Sequence, residues 1–258
     1  MTQSTSGKLI VEIQDGVALV TINNPPANTW DEESLPALEA LVDALDADSS
    51  VRALVLTGQG EKFFSAGADL NLFADGSSET ATRMSDAFGR AFERLSAFAG
   101  VSVAAINGWA MGGGLECALA CDIRVVESEA RMSLPEAAVG LLPCGGGTQL
   151  LPWLVGEGWA KRIILCGERV NAETAHRIGL CEEIAEPGGS TARALAIAKS
   201  VANQSPDAVA ACKGLIHKAR HGSVDFVTER SAFVELFDGA NQREGVNAFL
   251  QKRSPVWT

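Results

Sequence analysis

The chain has 258 residues, enough for one large α/β domain or for a domain of about 190 residues carrying a helical appendage. With 21 Lys and Arg against 32 Asp and Glu the formal net charge is −11, which repels phosphate backbones and anionic lipid and argues against nucleic acid or a membrane as partner. A phosphorylated ligand held by local cations or backbone N–H groups stays compatible with that charge.

The N-terminal stretch has no basic segment leading into an apolar one, and no run approaches about eighteen uninterrupted apolar residues, so a soluble cytoplasmic protein is expected. "LIVEIQDGVALVTIN" reads as a hairpin turning at Asp15–Gly16. After the loop "NPPANTW", residues 32–47 place Leu35, Leu38, Leu41, Val42 and Leu45 at helical spacing, and 51–58 read as a buried strand ending in a glycine turn. Residues 79–98 form an amphipathic helix; the stretch 72–88 that overlaps it is expected to be a loop, mobile at its Gly/Ser-rich start. A second buried strand covers 101–107 and a third 121–126, with a Gly-rich segment and an apolar helix between them. "GTQLLPWLVGEGWAKRIILCG" and "NAETAHRIGL" are further helices, the second capped by Asn171 and stopped by Gly179. From "EPGGS" (186–190) onward there are four helical stretches without a convincing strand. The alternation of strands and helices predicts a layered α/β fold, with no internal repeat of fixed period.

Several catalytic signatures are missing. The chain holds no GxSxG, no GxxxxGK[ST], no GxGxxG after a strand, no HExxH and no Tyr, so a serine triad, a dinucleotide, a catalytic metal and a phenolic acid all lack support. The six cysteines show no CxxC and are expected to be reduced core thiols. His217 and His221 share a helix face in "HKARH", which reads as a basic, solvated surface rather than a metal site.

What remains are glycine-rich turns and isolated carboxylates. "FFSAGADL" (63–70) and "NGWAMGGGLE" (107–116) each come after a buried strand and can bring backbone N–H groups close to a ligand. Glu116 stands alone in the apolar "MGGGLECALACD", and Glu136 in "SLPEAAVGLLPCGGGT". A buried carboxylate without a cation drifts upward in pKa, which suits proton transfer near neutrality, and two of them can divide acid and base roles. The plainer alternatives are glycines that only permit tight helix–strand packing, and a Glu136 that complements a helix dipole after Pro135.

"FSAGADL", "INGWAMGGGLECALACDIRVV", "SLPEAAVGLLPCGGGTQLLPWLVG", "RVNAETAHRIGL" and the tail "REGVNAFLQKRSPVW" together resemble the crotonase, or enoyl-CoA hydratase/isomerase, superfamily over nearly the whole chain. The resemblance implies an α/β spiral of repeated β-β-α units (1–190) holding the acyl-CoA site, and a C-terminal helical oligomerisation region (191–258). It implies an oxyanion hole made of the Ala68 and Gly113 N–H groups around the thioester oxygen, each such donor lowering the barrier by about 3 kcal/mol. The family's two hydratase glutamates fall on Glu116, which positions and deprotonates water, and Glu136, which exchanges the proton at the α-carbon. Having both implies hydration of a trans-2-enoyl-CoA to a 3-hydroxyacyl-CoA. Isomerisation, thioester hydrolysis, decarboxylation or silent acyl-CoA binding are the alternatives that share the same oxygen site.

By the same resemblance Ala66, Ala68, Asp69 and Leu70 cradle the CoA moiety, and Pro143 and Cys144 border the acyl pocket. Phe249 and Lys252 match tail positions that in relatives reach a neighbouring subunit's CoA. No cofactor is implied beyond the CoA of the substrate, and the assembly implied is a homotrimer or a dimer of trimers. Two departures bear on the substrate. Asn71 replaces a lysine that often contacts CoA, and Cys144 replaces a glycine near the catalytic water, where its plainer reading is a small buried thiol.

Overall fold

The Asp15–Gly16 turn takes both residues to positive φ, 52° and 75°, and so closes the expected hairpin of β1 (Leu9–Gln14) and β2 (Val17–Ile22). The structure, a computed structural model, describes residues 6–74, 76–220 and 226–258. After the hairpin, α1 (Ser34–Ala47) completes the first β-β-α unit. The second unit is β3 (Ala53–Gly58), β4 (Phe63–Ser65) and α2 (Ser78–Ser96). The third is β5 (Val101–Ile106), β6 (Trp109–Met111) and α3 (Gly113–Ala120), and the fourth is β7 (Ile123–Glu127), β8 (Arg131–Ser133) and α4 (Gly147–Leu165). The remaining elements are β9 (Val170–Asn171), α5 (Ala172–Ile178), β10 (Glu183–Ala185), α6 (Ser190–Val201), α7 (Pro206–Ala219), α8 (Phe226–Glu235) and α9 (Ala240–Leu250).

From the second unit to the fourth, the first strand joins a six-stranded sheet of order β1-β2-β3-β5-β7-β10, and the second joins a four-stranded sheet of order β4-β6-β8-β9. Each of these three units therefore leaves the large sheet, crosses to the small one and ends in a helix. The glycine-rich turns end up together because each one leads out of a strand of the small sheet. On one side of the large sheet, α1 buries Leu35, Leu38, Leu41 and Leu45 while α2 buries Met84, Phe88, Phe92 and Leu95, the spacing of an apolar helix face. On the other side, Ala194 and Ala198 of α6 meet Val55, Val103 and Val125. The first helix after residue 190 thus covers the sheet, and α7 to α9 come after it.

Several expectations need correction. The strands β4, β6, β8 and β9 are two or three residues long, too short for an alternating pattern to show. The stretch 72–88 is mostly helix, because Ser77 accepts the Thr80 N–H and starts α2 early. Gly156, at φ 75° and ψ 161°, divides α4 into two segments. Cys117, Cys121 and Cys181 are buried, but Cys144, Cys166 and Cys212 are exposed, so core thiols account for half the cysteines. His217 is half-buried, with Nε2 3.8 Å from Asp122 Oδ1. That carboxylate also takes Lys213 at 2.7 Å, so the "HKARH" face is not simply solvated; burial, with Arg220 and Lys213 nearby, pushes the His217 pKa down. His221 lies outside the described residues. Among the described residues no cluster of three or more His, Cys, Asp or Glu could hold a metal, and no helix is long and apolar enough to cross a membrane. The α5 helix is as expected: Asn171 accepts the Thr174 N–H at 2.9 Å and Gly179 sits at φ 81°.

Candidate active site

The turns after β4 and β6 touch through their backbones. Gly67 has φ +91°, and a β-carbon there would lie 2.7 Å from the Met111 carbonyl and 3.0 Å from the Gly113 nitrogen. Only glycine permits that approach. Trp30 pins the first turn, donating its N–H to Gly67 O at 2.8 Å and accepting the Asp69 N–H at 3.1 Å. Ala68 lies between these bonds, and its own N–H has no protein acceptor among the described residues. Gly113 opens α3 and its N–H is likewise without one, as the first turn of a helix requires. Two adjacent donors, one at the positive end of a helix, suit an anionic oxygen.

One turn further along α3, Glu116 is 2% exposed. Its Oε1 accepts two backbone N–H groups, Gly145 and Gly147, each at 2.8 Å. No Lys, Arg or His pairs with it among the described residues. Burial raises its pKa, while the Gly147 and Gly145 N–H groups pull back toward the ionised form. The carboxylate in an apolar helix is thus held by backbone dipoles from the "CGGGT" turn, not by a cation.

Glu136 heads a short 3₁₀ turn, Glu136–Val139, directly after Pro135. A β-carbon on Gly112, at φ +53°, would lie 3.1 Å from Glu136 Oε1, which places this carboxyl against the turn that leads into Gly113. Its Oε2 is buried with no hydrogen-bond partner among the described residues. Burial lifts its pKa to about 7, with the Glu116 charge adding to the rise and its own backbone N–H opposing it. Near neutrality this carboxyl is therefore divided between its protonated and ionised forms. A four-residue turn is a poor dipole, so the plainer reading of this residue loses its footing.

Around these groups, Ala66 donates its N–H to Ala27 O at 2.9 Å. Asp69 turns inward on its own turn, its Oδ1 taking Asn71 N at 3.0 Å and Asn71 Nδ2 at 2.8 Å. Asn71 is thereby tied down and supplies no cation, while Leu70 is 52% exposed. Pro143 is buried, and the adjoining Cys144 is exposed, a correction to the small buried thiol expected there. Partial burial, with Glu116 and Glu136 both nearby, pushes the Cys144 thiol up to about 11, so it stays protonated. Phe249 is 82% exposed near the end of α9, and Lys252 comes three residues later at φ +54°. No described hydrogen bond or ion pair joins either to the two glutamates. A separate crevice of about 660 Å³, bordered by Thr57, Asn107 and Glu127, contains none of these residues.

Sequence reasoning does not single out the N–H groups of Gly145 and Gly147 as the partners of Glu116, although the glycine run is their visible signal. Nor does it mark Trp30, Phe88 and Phe92, which sit behind the site and carry no sign beyond helical spacing.

A family model described as enoyl-CoA hydratase/isomerase matches residues 12–258. A short-chain-enoyl-CoA hydratase of Clostridium acetobutylicum is 36% identical over 248 residues, covering 95% of this chain and 95% of its own. The 2,3-dehydroadipyl-CoA hydratase of Escherichia coli is 36% identical over 251 residues, covering 96% and 97%. The solved structure of Pseudomonas aeruginosa DspI is 60% identical and superposes with a TM-score of 0.96, covering 98% of this chain and 97% of that one.

Proposed function

Because the chain belongs to the enoyl-CoA hydratase/isomerase family, we propose that it adds water across the double bond of a trans-2-enoyl-CoA to give a 3-hydroxyacyl-CoA. The observation that carries this reading is the pair of carboxyls in unlike settings. Glu116 is held by two N–H groups that favour its ionised form, and Glu136 has a pKa of about 7 and a free buried oxygen. Glu116 orients water and takes its proton as the oxygen adds at the β-carbon. The thioester oxygen gains charge as the enolate forms, and the Ala68 and Gly113 N–H groups hold it. Protonated Glu136 then delivers its proton to the α-carbon. The two carboxyls interact, so the pH profile belongs to the pair.

The backbone of Ala66, Ala68, Asp69 and Leu70 cradles the CoA, and the reaction calls for no resident cofactor. Cys144 narrows the acyl side as a neutral thiol. The exposed apolar residues Phe233, Val234 and Phe237, 63%, 64% and 49% exposed, support a homotrimer or dimer of trimers built through the helices after α6. In that assembly Phe249 and Lys252 reach a neighbouring subunit's CoA. Six cysteines without a disulfide among the described residues support a reducing, cytoplasmic setting. A panel of 2-enoyl-CoA thioesters of rising chain length, with saturated and 3-enoyl controls, tests the reaction. Consumption of the 2-enoyl series alone is the expected result; turnover of only the 3-enoyl or saturated thioesters overturns it.

A further inference from the structure

We infer that Trp30, Phe92 and Phe88 act as one aromatic brace that fixes the spacing between the oxygen-binding N–H groups and the Glu116 carboxylate, with Phe92 and Phe88 governing different steps. The three side chains are buried, at 0%, 1% and 2% exposure. Trp30 meets Phe92 edge to face at 5.7 Å and 74°, and Phe92 meets Phe88 at 5.6 Å and 72°. Such pairs prefer this tilt over others, so each ring fixes the orientation of the next. Phe88 and Phe92 are one helical turn apart on α2, which sets the spacing of two of the three.

Each member also meets a different backbone segment of the site. The Phe88 ring edge lies 2.7 Å from where a β-carbon on Gly113 would sit, and the Phe92 edge 2.6 Å from the corresponding point on Gly145. Trp30 holds the backbone on both sides of Ala68 through its own main-chain N–H and carbonyl, while its ring meets Phe92. The brace therefore spans three of the four N–H donors: Ala68 and Gly113 for the substrate oxygen, and Gly145 for Glu116. A ring replaced by leucine leaves a void that its neighbours fill only in part, and a displacement of about 1 Å in a reacting group can cost about 100-fold in rate. Phe92 backs the water side of the site and Phe88 the enolate side, so they are positioning residues with separable effects.

The inference rests on the hydratase reading, and the test keeps the two apart. Phe92→Leu and Phe88→Leu are compared with Phe98→Leu, whose ring is 1% exposed but packs against Gly100 and under Lys213. For Phe92→Leu, hydration kcat falls about 10–100-fold with KM little changed, while deuterium exchange at the α-carbon of a saturated acyl-CoA persists. For Phe88→Leu, hydration and exchange fall together. Phe98→Leu leaves both at the parent level. Phe92→Met keeps most of the volume and serves if the leucine variant does not fold. Equal losses in Phe92→Leu and Phe98→Leu, or a parent-like Phe92→Leu, overturn the brace. If the parent hydrates no enoyl-CoA, the hydratase reading fails alone. The brace is then decided by the carbon-13 titration of the Glu116 carboxyl, which shifts in Phe92→Leu and not in Phe98→Leu if the inference holds, and is the same in both if it does not.

Discussion

Gly147→Ala perturbs the Glu116 clamp without touching a catalytic side chain. Gly147 opens α4 with an ordinary backbone conformation, and alanine favours a helix over glycine by about 1 kcal/mol, so the backbone itself gives no reason for damage. The contacts do. The new β-carbon would lie 2.8 Å from Leu134 Cδ1, 2.9 Å from Pro143 Cβ and 3.0 Å from Glu116 Oε1. Leu134 and Pro143 are themselves buried, so relief comes by moving the carboxylate, which loses at least one of its two N–H donors. A hydrogen bond to a charged acceptor contributes about 1.5–3 kcal/mol, and losing it from the ionised form raises the Glu116 pKa further. In the proposed mechanism Glu116 is the base and works only above its pKa, so the acidic limb of the kcat profile moves toward alkaline pH. On that acidic limb the rate drops about 10–100-fold, the equivalent of the lost hydrogen bond. Loss of the enoyl thioester's ultraviolet absorbance, measured across pH, reads both effects, and circular dichroism checks the fold. A folded Gly147→Ala enzyme with the parent rate and profile would refute the clamp.

Glu136 carries a stability cost that its removal exposes. Its folded pKa of about 7 stands above the ordinary 4.5, so its contribution is intact below about pH 4.5 and is lost as pH rises through about 7. Allowing for partial solvent access, Glu136→Gln is more stable than the parent by about 1–2 kcal/mol above neutrality and equal to it below pH ~4.5; urea unfolding with the same difference at both pH values contradicts this. Lys252→Ala raises KM for acyl-CoA and spares kcat, since an ammonium near a phosphate contributes uniform binding; loss of kcat at constant KM denies it that role. Light scattering at micromolar concentration gives the mass of a trimer or hexamer, and a monomer removes the case for assembly through α7 to α9.

The features that can be read directly from the chain are those that depend on local chemistry. The Asp15–Gly16 turn and the Asn171 to Gly179 helix arise from residues that prefer those conformations by themselves, and both are present. The units of the spiral differ in length, and the second strand shrinks from six residues in the first unit to three in the others, so no fixed period marks them. Glu116 and Glu136 stand out as carboxylates in apolar surroundings. Their partners do not, because a backbone N–H looks alike in every residue but proline; only the fold brings Gly145 and Gly147 from about thirty positions away. Cys144 departs from expectation because a small thiol usually packs inside, whereas the turn leaves this residue exposed. The aromatic brace is invisible in the sequence for a related reason. Phe88 and Phe92 match any helix packed on a core, and Trp30 comes from a loop with no periodicity.

The division of labour between the two glutamates is tested most directly by isotope transfer from labelled water in the parent, Glu116→Gln and Glu136→Gln enzymes. Oxygen-18 incorporation at the β-carbon reports water addition, and deuterium exchange at the α-carbon of a saturated or 3-hydroxyacyl-CoA reports proton transfer. With separate roles, Glu116→Gln loses oxygen incorporation by about 10²–10⁴-fold yet keeps measurable α-exchange, while Glu136→Gln loses both. Parent-level oxygen incorporation from a 2-enoyl-CoA in both folded variants would contradict that division.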